Sequence, residues 1–169
     1  YEYTPDIVVD AFSKIFNVKN PFPKPIQSTL KAPRRPPSLC PGCPHRATYY
    51  AVKKAAPKDT IYPTDIGCYT LGKEPPIEVA DVLLCMGSNA GMACGFSVAT
   101  DQKIISFMGD STFFHSGIPP IVNAVHHNHD VVITILDNRT TAMTGHQPHP
   151  GTSYDGMGRS AKLIKVENV

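Results

Sequence analysis

Short apolar runs alternate with helix-like segments along most of the chain after residue 40. The runs are rich in Val, Ile and Leu, and their length and composition are typical of strands. They cover residues 59–63, 81–85, 103–108 and 131–136. The second run (DVLLC) is apolar after its first residue, and the last (VVITIL) is apolar or β-branched throughout. Both patterns predict strands that are buried inside a parallel sheet.

Three segments that precede or separate these runs have the composition of helices. Pro57 ends the first of them, Ser88 opens the second, and the pair Pro119-Pro120 fits only in the first turn of the third. The predicted helices cover residues 45–56, 88–99 and 117–127. Strands that alternate with helices imply right-handed crossovers. The sequence therefore predicts an α/β fold with a doubly wound, mostly parallel sheet and helices on both faces.

The first 39 residues have a different pattern and predict a helical, proline-rich arm before the α/β domain. An amphipathic helix is predicted over residues 4–16, with Thr4 as its cap and Pro5 in its first turn. Residues 17–39 are rich in proline and basic side chains, which indicates a connector or a strap. A proline-rich ligand for another domain is the alternative. We therefore expect two parts, residues 1–39 and 40–169.

Composition narrows the class of protein. The chain has 169 residues, a formal net charge of +2 and 41% hydrophobic residues. This balance favours neither nucleic acid nor a membrane surface as a partner, and no apolar run is long enough to span a bilayer. Five cysteines, an odd count with no signal-peptide pattern, favour a cytoplasmic chain with free thiols or metal ligands. The chain begins at Tyr1 and reads as a piece of a longer polypeptide.

Two polar motifs follow neighbouring predicted strands. Gly109-Asp110-Ser111 comes directly after the strand at 103–108, and Asp137-Asn138 comes after the strand at 131–136. Ligands bind at the carboxyl ends of the strands in such sheets. Asp110, Asn138 and the carbonyl of Thr140 would supply oxygen ligands for Mg²⁺ that bridges a diphosphate. The alternative is that both motifs are ordinary turns, since Gly, Asp and Asn are common in loops.

This pair of motifs resembles the thiamine diphosphate motif, Gly-Asp-Gly followed by Asn, with Ser111 in place of the last glycine. The wider resemblance extends over residues 40 to about 155. It is to the thiamine-binding half of the α subunit of indolepyruvate:ferredoxin oxidoreductase, in the 2-oxoacid:ferredoxin oxidoreductase superfamily. The segments that carry it are CPGCPHR (40–46), IGCYTLG (66–72), CMGSNAG (85–91), GDSTFFHSGIPPIVNAV (109–125) and LDNRTTAMTGHQPHPG (136–151).

The resemblance implies a thiamine-diphosphate-binding fold and an oxidative decarboxylation of arylpyruvates that uses coenzyme A and passes electrons to ferredoxin. It also implies as partners a β subunit and a pyrimidine-binding domain of the same or a neighbouring subunit. That domain supplies the carboxylate that activates the cofactor, so these residues alone should be inactive. The cofactor-binding residues implied are Gly67, Cys68, Gly87, Ser88, Gly109, Asp110, Ser111, Thr112, Asn138, Thr140, Met143 and Thr144.

The cysteines leave three interpretations open. Cys40, Cys43 and Cys68 resemble the residues that help to hold a [4Fe-4S] cluster near the thiamine in related oxidoreductases, but such a cluster takes four thiolates. The alternatives are a cofactor pocket lined without metal, and zinc, for which the fourth ligand is also missing. Cys85 at the end of a buried strand and Cys94 inside a helix are expected to be core thiols.

The sequence neighbours of each histidine indicate its expected role. His45 follows the CPGCP turn and is the candidate catalytic residue, which would bind the substrate carboxylate or relay a proton; a surface or capping histidine is the alternative. His115 is expected in the cofactor cleft, and the loop that contains His146 and His149 is expected to cover the diphosphate. The remaining histidines, at a helix end, are expected to face solvent: His126, His127 and His129.

Two other functions remain open at this stage. A non-redox thiamine-dependent decarboxylase of the sulfopyruvate or phosphonopyruvate type would share the Asp110 and Asn138 pair, but would have no use for the CPGC segment. A non-catalytic iron–sulfur or metal-binding module would use the cysteines, and Asp110 and Asn138 would then be turn residues.

Overall fold

The computed structural model describes residues 3–23, 33 and 35–169. Much of the proline-rich segment predicted as a connector, or alternatively as a ligand, lies outside these residues. Contacts within the chain group it into two units, Tyr1–Pro36 and Pro37–Val169.

The first unit contains helix α1, Pro5–Phe16. Pro5 occupies its first turn as predicted, but the Thr4 side chain makes no capping hydrogen bond. The Thr4 carbonyl instead accepts a hydrogen bond from the Val8 N–H at 3.1 Å. Most of the apolar face of α1 is exposed, and the rings of Phe12 and Phe16 stack on it with their centroids 5.9 Å apart.

The second unit is built on a parallel sheet. Strands β1 (Ile105–Gly109) and β2 (Val132–Leu136) pair in parallel, with Ile105 opposite Val132 and Gly109 opposite Leu136. The predicted strand at 59–63 is reduced to parallel bridges on both sides, to β1 and to residue 82. The Pro63 carbonyl accepts a hydrogen bond from the Phe107 N–H in β1. The N–H that proline lacks would have faced β1 as well, so this ladder has one donor fewer. The order of the four segments, all parallel, is 82, 61–64, β1 and β2.

Two predictions about the strands were wrong. Only Val82 of the run 81–85 forms a bridge, while Leu84 is 74% exposed and Cys85 is also exposed. Strand β2 is not buried on both faces, since Val132 is exposed and the rest of the strand is half-buried. Among the described residues β2 pairs only with β1, so one edge of β2 lacks the neighbour that complete burial requires.

Helices cover both faces of the sheet, which confirms the predicted fold class. Phe107 packs in a core cluster with Tyr49 of helix α2 (Pro44–Ala55), whereas Met108 packs with Ala90 of helix α3 (Ser88–Ala99). Successive side chains of a strand point to opposite faces. The two clusters therefore lie on opposite sides of β1.

The segment after β1 is helical from its first residue. It begins as α4 (Asp110–Thr112), continues through a π-helical turn (Phe113–Gly117) and ends as α5 (Ile118–His126). The two prolines lie in the first turn of α5, as predicted. No helix of the described residues is long and apolar enough to cross a membrane.

Candidate functional site

A cleft lies at the carboxyl ends of segment 61–64, β1 and β2. Segment 61–64 lies between residue 82 and β1. After segment 61–64 the chain continues to residue 82 on one side, and after β1 it continues to β2 on the other side. The chain thus leaves segment 61–64 and β1, which are neighbours, toward opposite edges of the sheet. Such a switch point opens the crevice in which doubly wound folds bind ligands. The cleft encloses about 540 Å³, part of it open to solvent. Its lining includes every predicted cofactor-binding residue except Gly87 and Ser88.

Asp110 lies at the centre of this cleft and is 1% exposed. Its Oδ1 accepts the Ser111 N–H at 2.8 Å, and its Oδ2 accepts the N–H groups of Asn138 at 3.2 Å and Arg139 at 2.6 Å. Burial raises the pKa of Asp110 and the neighbouring Asp137 side chain raises it further, while the backbone hydrogen bonds and His149 act in the opposite direction. The carboxylate thus joins the end of β1 to the turn that follows β2.

The turn after β2 is held by its own side chains. The Asp137 Oδ1 accepts the Arg139 N–H at 3.0 Å, and the Asn138 Oδ1 accepts the Thr140 N–H at 3.1 Å. Asp137 is absent from the cleft lining, whereas Asn138 and Thr140 belong to it. The buried Thr140 Oγ1 has no hydrogen-bond partner. The turn therefore brings Asn138 and Thr140 to the cleft, and the Thr140 hydroxyl is buried without a partner.

These oxygens suit a hard cation. The Asp110 Oδ1 and the Asn138 Oδ1 each accept one hydrogen bond, and an oxygen with two lone pairs keeps one for a further partner. Carboxylate, amide and carbonyl oxygens are the ligands that Mg²⁺ takes in proteins. Within the described residues no three His, Cys, Asp or Glu side chains converge on a metal position. A cation here would therefore depend on amide and backbone oxygens beside one carboxylate.

His149 contacts Asp110, a role that its place in the sequence did not indicate. Its side chain is fully buried, and its Nε2 lies 3.1 Å from the Asp110 Oδ2, although the contact lacks the alignment of a hydrogen bond. The Gly151 N–H donates to the His149 Nδ1 at 3.0 Å, so the ring hydrogen of the neutral form lies on Nε2. His149 of the loop expected to cover the diphosphate thus supports the carboxylate, and Met143 and Thr144 of the same loop line the cleft.

Two glycine turns lie beside the cleft, and the buried carboxylate of Asp65 bonds to the backbone of both. Gly67 and Gly87 have φ values of +91° and +79°, which only glycine adopts readily. The Gly87 N–H donates to Asp65, and the Ser88 Oγ bonds to the Cys85 carbonyl at 2.7 Å. This explains why the cleft is lined by Met86 rather than by the two predicted residues after it. Sequence reasoning missed Asp65, although it follows a predicted strand just as Asp110 does.

Tyr69 is a second cleft residue that sequence reasoning missed. Its hydroxyl donates to the Leu136 carbonyl at 3.4 Å, and its ring lies over Gly109, where an added Cβ would be 2.6 Å from the Tyr69 Cε2. Burial raises the pKa of Tyr69, and the charges of Asp110 and Asp65 raise it further. The φ of Gly109 is −78°, which any residue can adopt. Glycine is therefore required here for lack of space beside Tyr69 and not for its backbone conformation.

His45 is buried beneath this tyrosine and is neither a surface residue nor a cap. Its ring centroid lies 5.2 Å from that of Tyr69, and it is absent from the cleft lining. Burial lowers the pKa of His45, while the negative charge of Asp110 acts in the opposite direction. The Tyr69 side chain thus lies between His45 and the cleft. The catalytic role of His45 stays a prediction.

The three cysteines of the predicted cluster lie near one another without forming a metal site. Cys40 is exposed, while Cys43 and Cys68 are half-buried. Burial raises the pKa of the Cys68 thiol, and the charges of Cys43 and Cys40 raise it further. The described cysteines do not converge on a metal position. The [4Fe-4S] cluster therefore stays a prediction.

The other cysteines and histidines divide between confirmed and corrected predictions. Cys94 is a buried thiol as expected, but Cys85 is exposed because its segment is not a buried strand. His115 is exposed and hydrogen-bonds to the Ser111 carbonyl at 2.7 Å, so it does not line the cleft. His126 and His127 are exposed as expected, and the half-buried His129 contacts the Ser97 Oγ at 2.9 Å.

Comparison with known proteins places this cleft in a family. Residues 65–167 match the family described as thiamine pyrophosphate enzyme, C-terminal TPP binding domain. The chain is similar to the indolepyruvate oxidoreductase subunit IorA of Methanothermobacter marburgensis, with 58% identity over 175 residues that cover all of this chain and 28% of that protein. It is also similar to the protein of the same name from Pyrococcus horikoshii, with 41% identity over 191 residues that cover all of this chain and 29% of that protein.

A more distant relative is named for a different 2-oxoacid. The 2-oxoglutarate synthase subunit KorB of Methanocaldococcus jannaschii is 26% identical over 152 residues, which cover 85% of this chain and 56% of that protein. The chain thus spans less than a third of the IorA relatives described above and a larger part of this shorter protein.

Proposed function

The chain belongs to the family of thiamine pyrophosphate enzyme C-terminal TPP binding domains, and from this premise we propose that it binds thiamine diphosphate and Mg²⁺ as part of a 2-oxoacid:ferredoxin oxidoreductase. The observation that carries the proposal is the arrangement of Asp110, Asn138 and Thr140 around one cleft at the ends of two neighbouring strands.

The polar side of the cleft would hold the diphosphate end of the cofactor. Asp110, the Asn138 side chain and the Thr140 carbonyl would bind Mg²⁺. The Ser111 N–H already donates to Asp110, so the neighbouring Thr112 is the better candidate for a phosphate contact. Because Asp110 is also bonded to the turn after β2, the turn and the metal position are fixed together.

Part of the cleft lining is an apolar wall that would receive the rings of the cofactor and the substrate. Ile66, Tyr69, Met86 and Met143 line it. Methionine side chains adapt to ligands of irregular shape, and an apolar wall excludes water from a reactive carbon. When bound, thiamine diphosphate supplies a carbon nucleophile and accepts the electrons that decarboxylation leaves behind. The residues of this chain would bind, orient and shield it.

The substrate and partners are proposed from the relatives. Two of them are named as indolepyruvate oxidoreductase subunits and one as a 2-oxoglutarate synthase subunit. We propose an arylpyruvate as the 2-oxoacid, coenzyme A as the acyl acceptor and ferredoxin as the electron acceptor. A pyrimidine-binding domain and a β subunit would complete the enzyme, since the chain covers only part of these relatives.

The test uses the full-length subunit assembled with its partner subunit. We expect ferredoxin reduction that depends on thiamine diphosphate, Mg²⁺ and coenzyme A, and a higher kcat/KM for indolepyruvate than for 2-oxoglutarate or pyruvate. Release of an aldehyde with no ferredoxin reduction would favour the non-redox decarboxylase. Complete absence of thiamine diphosphate binding, measured by calorimetry, would contradict both and leave the non-catalytic metal module.

The contact between His149 and Asp110 predicts a specific effect on the metal. Replacing His149 with Ala removes the ring that supports the carboxylate, and outer partners of metal ligands typically contribute about 10- to 100-fold in affinity. We expect His149→Ala to weaken Mg²⁺ by about that factor in Mg²⁺ titrations of cofactor binding. His146→Ala, in the exposed part of the same loop, is the matched control. Equal Mg²⁺ affinities in the two variants would exclude this role for His149.

A further inference from the structure

Asp65 is a buried carboxylate that none of the proposed steps uses. It is 0% exposed and directly follows segment 61–64. Its Oδ1 accepts the N–H groups of Ile66 at 2.8 Å and Gly87 at 3.2 Å, and its Oδ2 accepts the Gly109 N–H at 3.3 Å. One side chain thus bonds three separate parts of the chain: its own turn, the start of α3 and the end of β1.

The surroundings of Asp65 are unusual for a buried carboxylate. Among the described residues, no ion pair includes it. Burial of a carboxylate is costly unless hydrogen bonds replace its water, and here backbone amides do so. An apolar side chain would avoid this cost but could not hold three amides at once. The arrangement therefore favours a role in holding these backbones at fixed positions.

The three segments that Asp65 connects all reach the cleft. Ile66 lines it directly, Gly87 follows the cleft residue Met86, and Gly109 precedes Asp110. Asp65 itself is absent from the lining and lies behind the wall. A shift of any one of these segments would move the apolar wall relative to the polar side of the cleft.

We propose that Asp65 is a positioning residue that fixes the distance between the apolar wall of the cleft and the metal-binding carboxylate. This inference rests on the proposed function, because it concerns the site for thiamine diphosphate. Asp65 positions backbone groups. Its hydrogen bond to the Gly109 N–H holds the backbone that precedes Asp110, and its hydrogen bonds to the N–H groups of Ile66 and Gly87 hold the backbone of the apolar wall.

The substitution Asp65→Asn tests this at almost constant volume. An amide has one oxygen instead of two, so its NH₂ group must face at least one of the three N–H donors. Hydrogen bonds to charged groups contribute enough that we expect thiamine diphosphate to bind roughly 10- to 100-fold more weakly to the full-length subunit. We expect turnover of the assembled enzyme to recover when the cofactor concentration is raised, because the reacting groups are unchanged.

Asp81→Ala is the matched control. The Asp81 Oδ2 accepts the Tyr62 N–H at 2.8 Å, so this substitution also removes a carboxylate-to-amide bond from segment 61–64, but away from the cleft. We expect Asp81→Ala to lower the Tm of the protein without cofactor. In fully folded protein, its cofactor affinity should stay within about twofold of the wild-type value, since the lost bond is remote from the ligand.

A second measurement keeps the role of Asp65 separate from the proposed function. In Asp65→Asn, hydrogen exchange without cofactor should accelerate at the amides of Ile66, Gly87 and Gly109 more than at residues 105–108, the rest of strand β1. Faster exchange at these amides with weaker binding supports the proposal. Unchanged cofactor affinity in Asp65→Asn, with a Tm loss like that of the control, overturns it. A wild-type subunit that binds no thiamine diphosphate overturns the proposed function, and the exchange rates still decide whether Asp65 positions the turns.

Discussion

Asp110→Ala should abolish Mg²⁺-dependent binding of thiamine diphosphate. The substitution removes the proposed metal ligand and also leaves the N–H groups of Ser111, Asn138 and Arg139 without their acceptor. A buried donor left without a partner costs about 1–3 kcal/mol, so the turn after β2 should also loosen. We expect the dissociation constant for the cofactor to rise more than about a hundredfold, because the metal bridge and the turn are lost together. Calorimetry on the full-length subunit, with and without Mg²⁺, measures the effect.

Two variants separate loss of the metal ligand from loss of folding. Asp110→Asn keeps an acceptor for part of this network but lacks the charge that Mg²⁺ requires, so it should remain folded and still bind the cofactor poorly. Asp130→Asn, which removes an exposed carboxylate that pairs with Lys103 outside the cleft, should bind normally. Normal Mg²⁺-dependent binding in folded Asp110→Asn would show that the metal is held elsewhere.

Gly109→Ala should damage both stability and cofactor binding, although it adds only one methyl group. The new Cβ would lie 2.6–2.8 Å from two ring carbons and the hydroxyl oxygen of Tyr69. The ring cannot easily move away, because it packs on His45 and its hydroxyl bonds to Leu136. Overpacking of a tightly packed site typically costs about 1–3 kcal/mol. Denaturant unfolding should show a loss of this size, and cofactor affinity should fall because Tyr69 lines the cleft.

Gly91→Ala is the control for this prediction. No atom lies within 4 Å of a Cβ added at Gly91, which is the fourth residue of helix α3. Because alanine favours a helix by about 1 kcal/mol over glycine, this variant should be as stable as the wild type or more stable. The double variant Gly109→Ala/Tyr69→Leu should recover part of the lost stability, since the smaller side chain makes room. Equal stability of Gly109→Ala and the wild type would mean that Tyr69 does not restrict this position.

Local signals in the sequence predicted most of the regular structure. The prolines at the first positions of α1 and α2 and the glycine before α3 set the starts of these helices. Strands β1 and β2 followed from apolar runs of strand length. The run 81–85 has similar apolar character but forms only one bridge, because an apolar run does not specify whether a neighbouring backbone can pair with it.

The site was only partly predictable, for a different physical reason. Asp110 and Asn138 follow two strands, and parallel strands bring their ends together, so sequence position was informative. Asp65 and His149 act through backbone amides and a buried contact that form only after distant segments pack. Such partners have no fixed spacing. His45 was predicted from its place after the CPGCP turn, whereas its burial beneath Tyr69 depends on how α2 packs.

The parallel sheet makes the cleft a late product of folding. Parallel neighbours cannot be joined by a tight turn and need a long crossover, and each pairing in this sheet is parallel. The cleft therefore draws on residues from Ile66 to Thr144 and cannot form on any local fragment. Non-local pairing of this kind slows folding. A ligand that binds only the completed cleft adds its binding free energy to the stability of the whole sheet, so cofactor supply during synthesis should control how much folded protein accumulates.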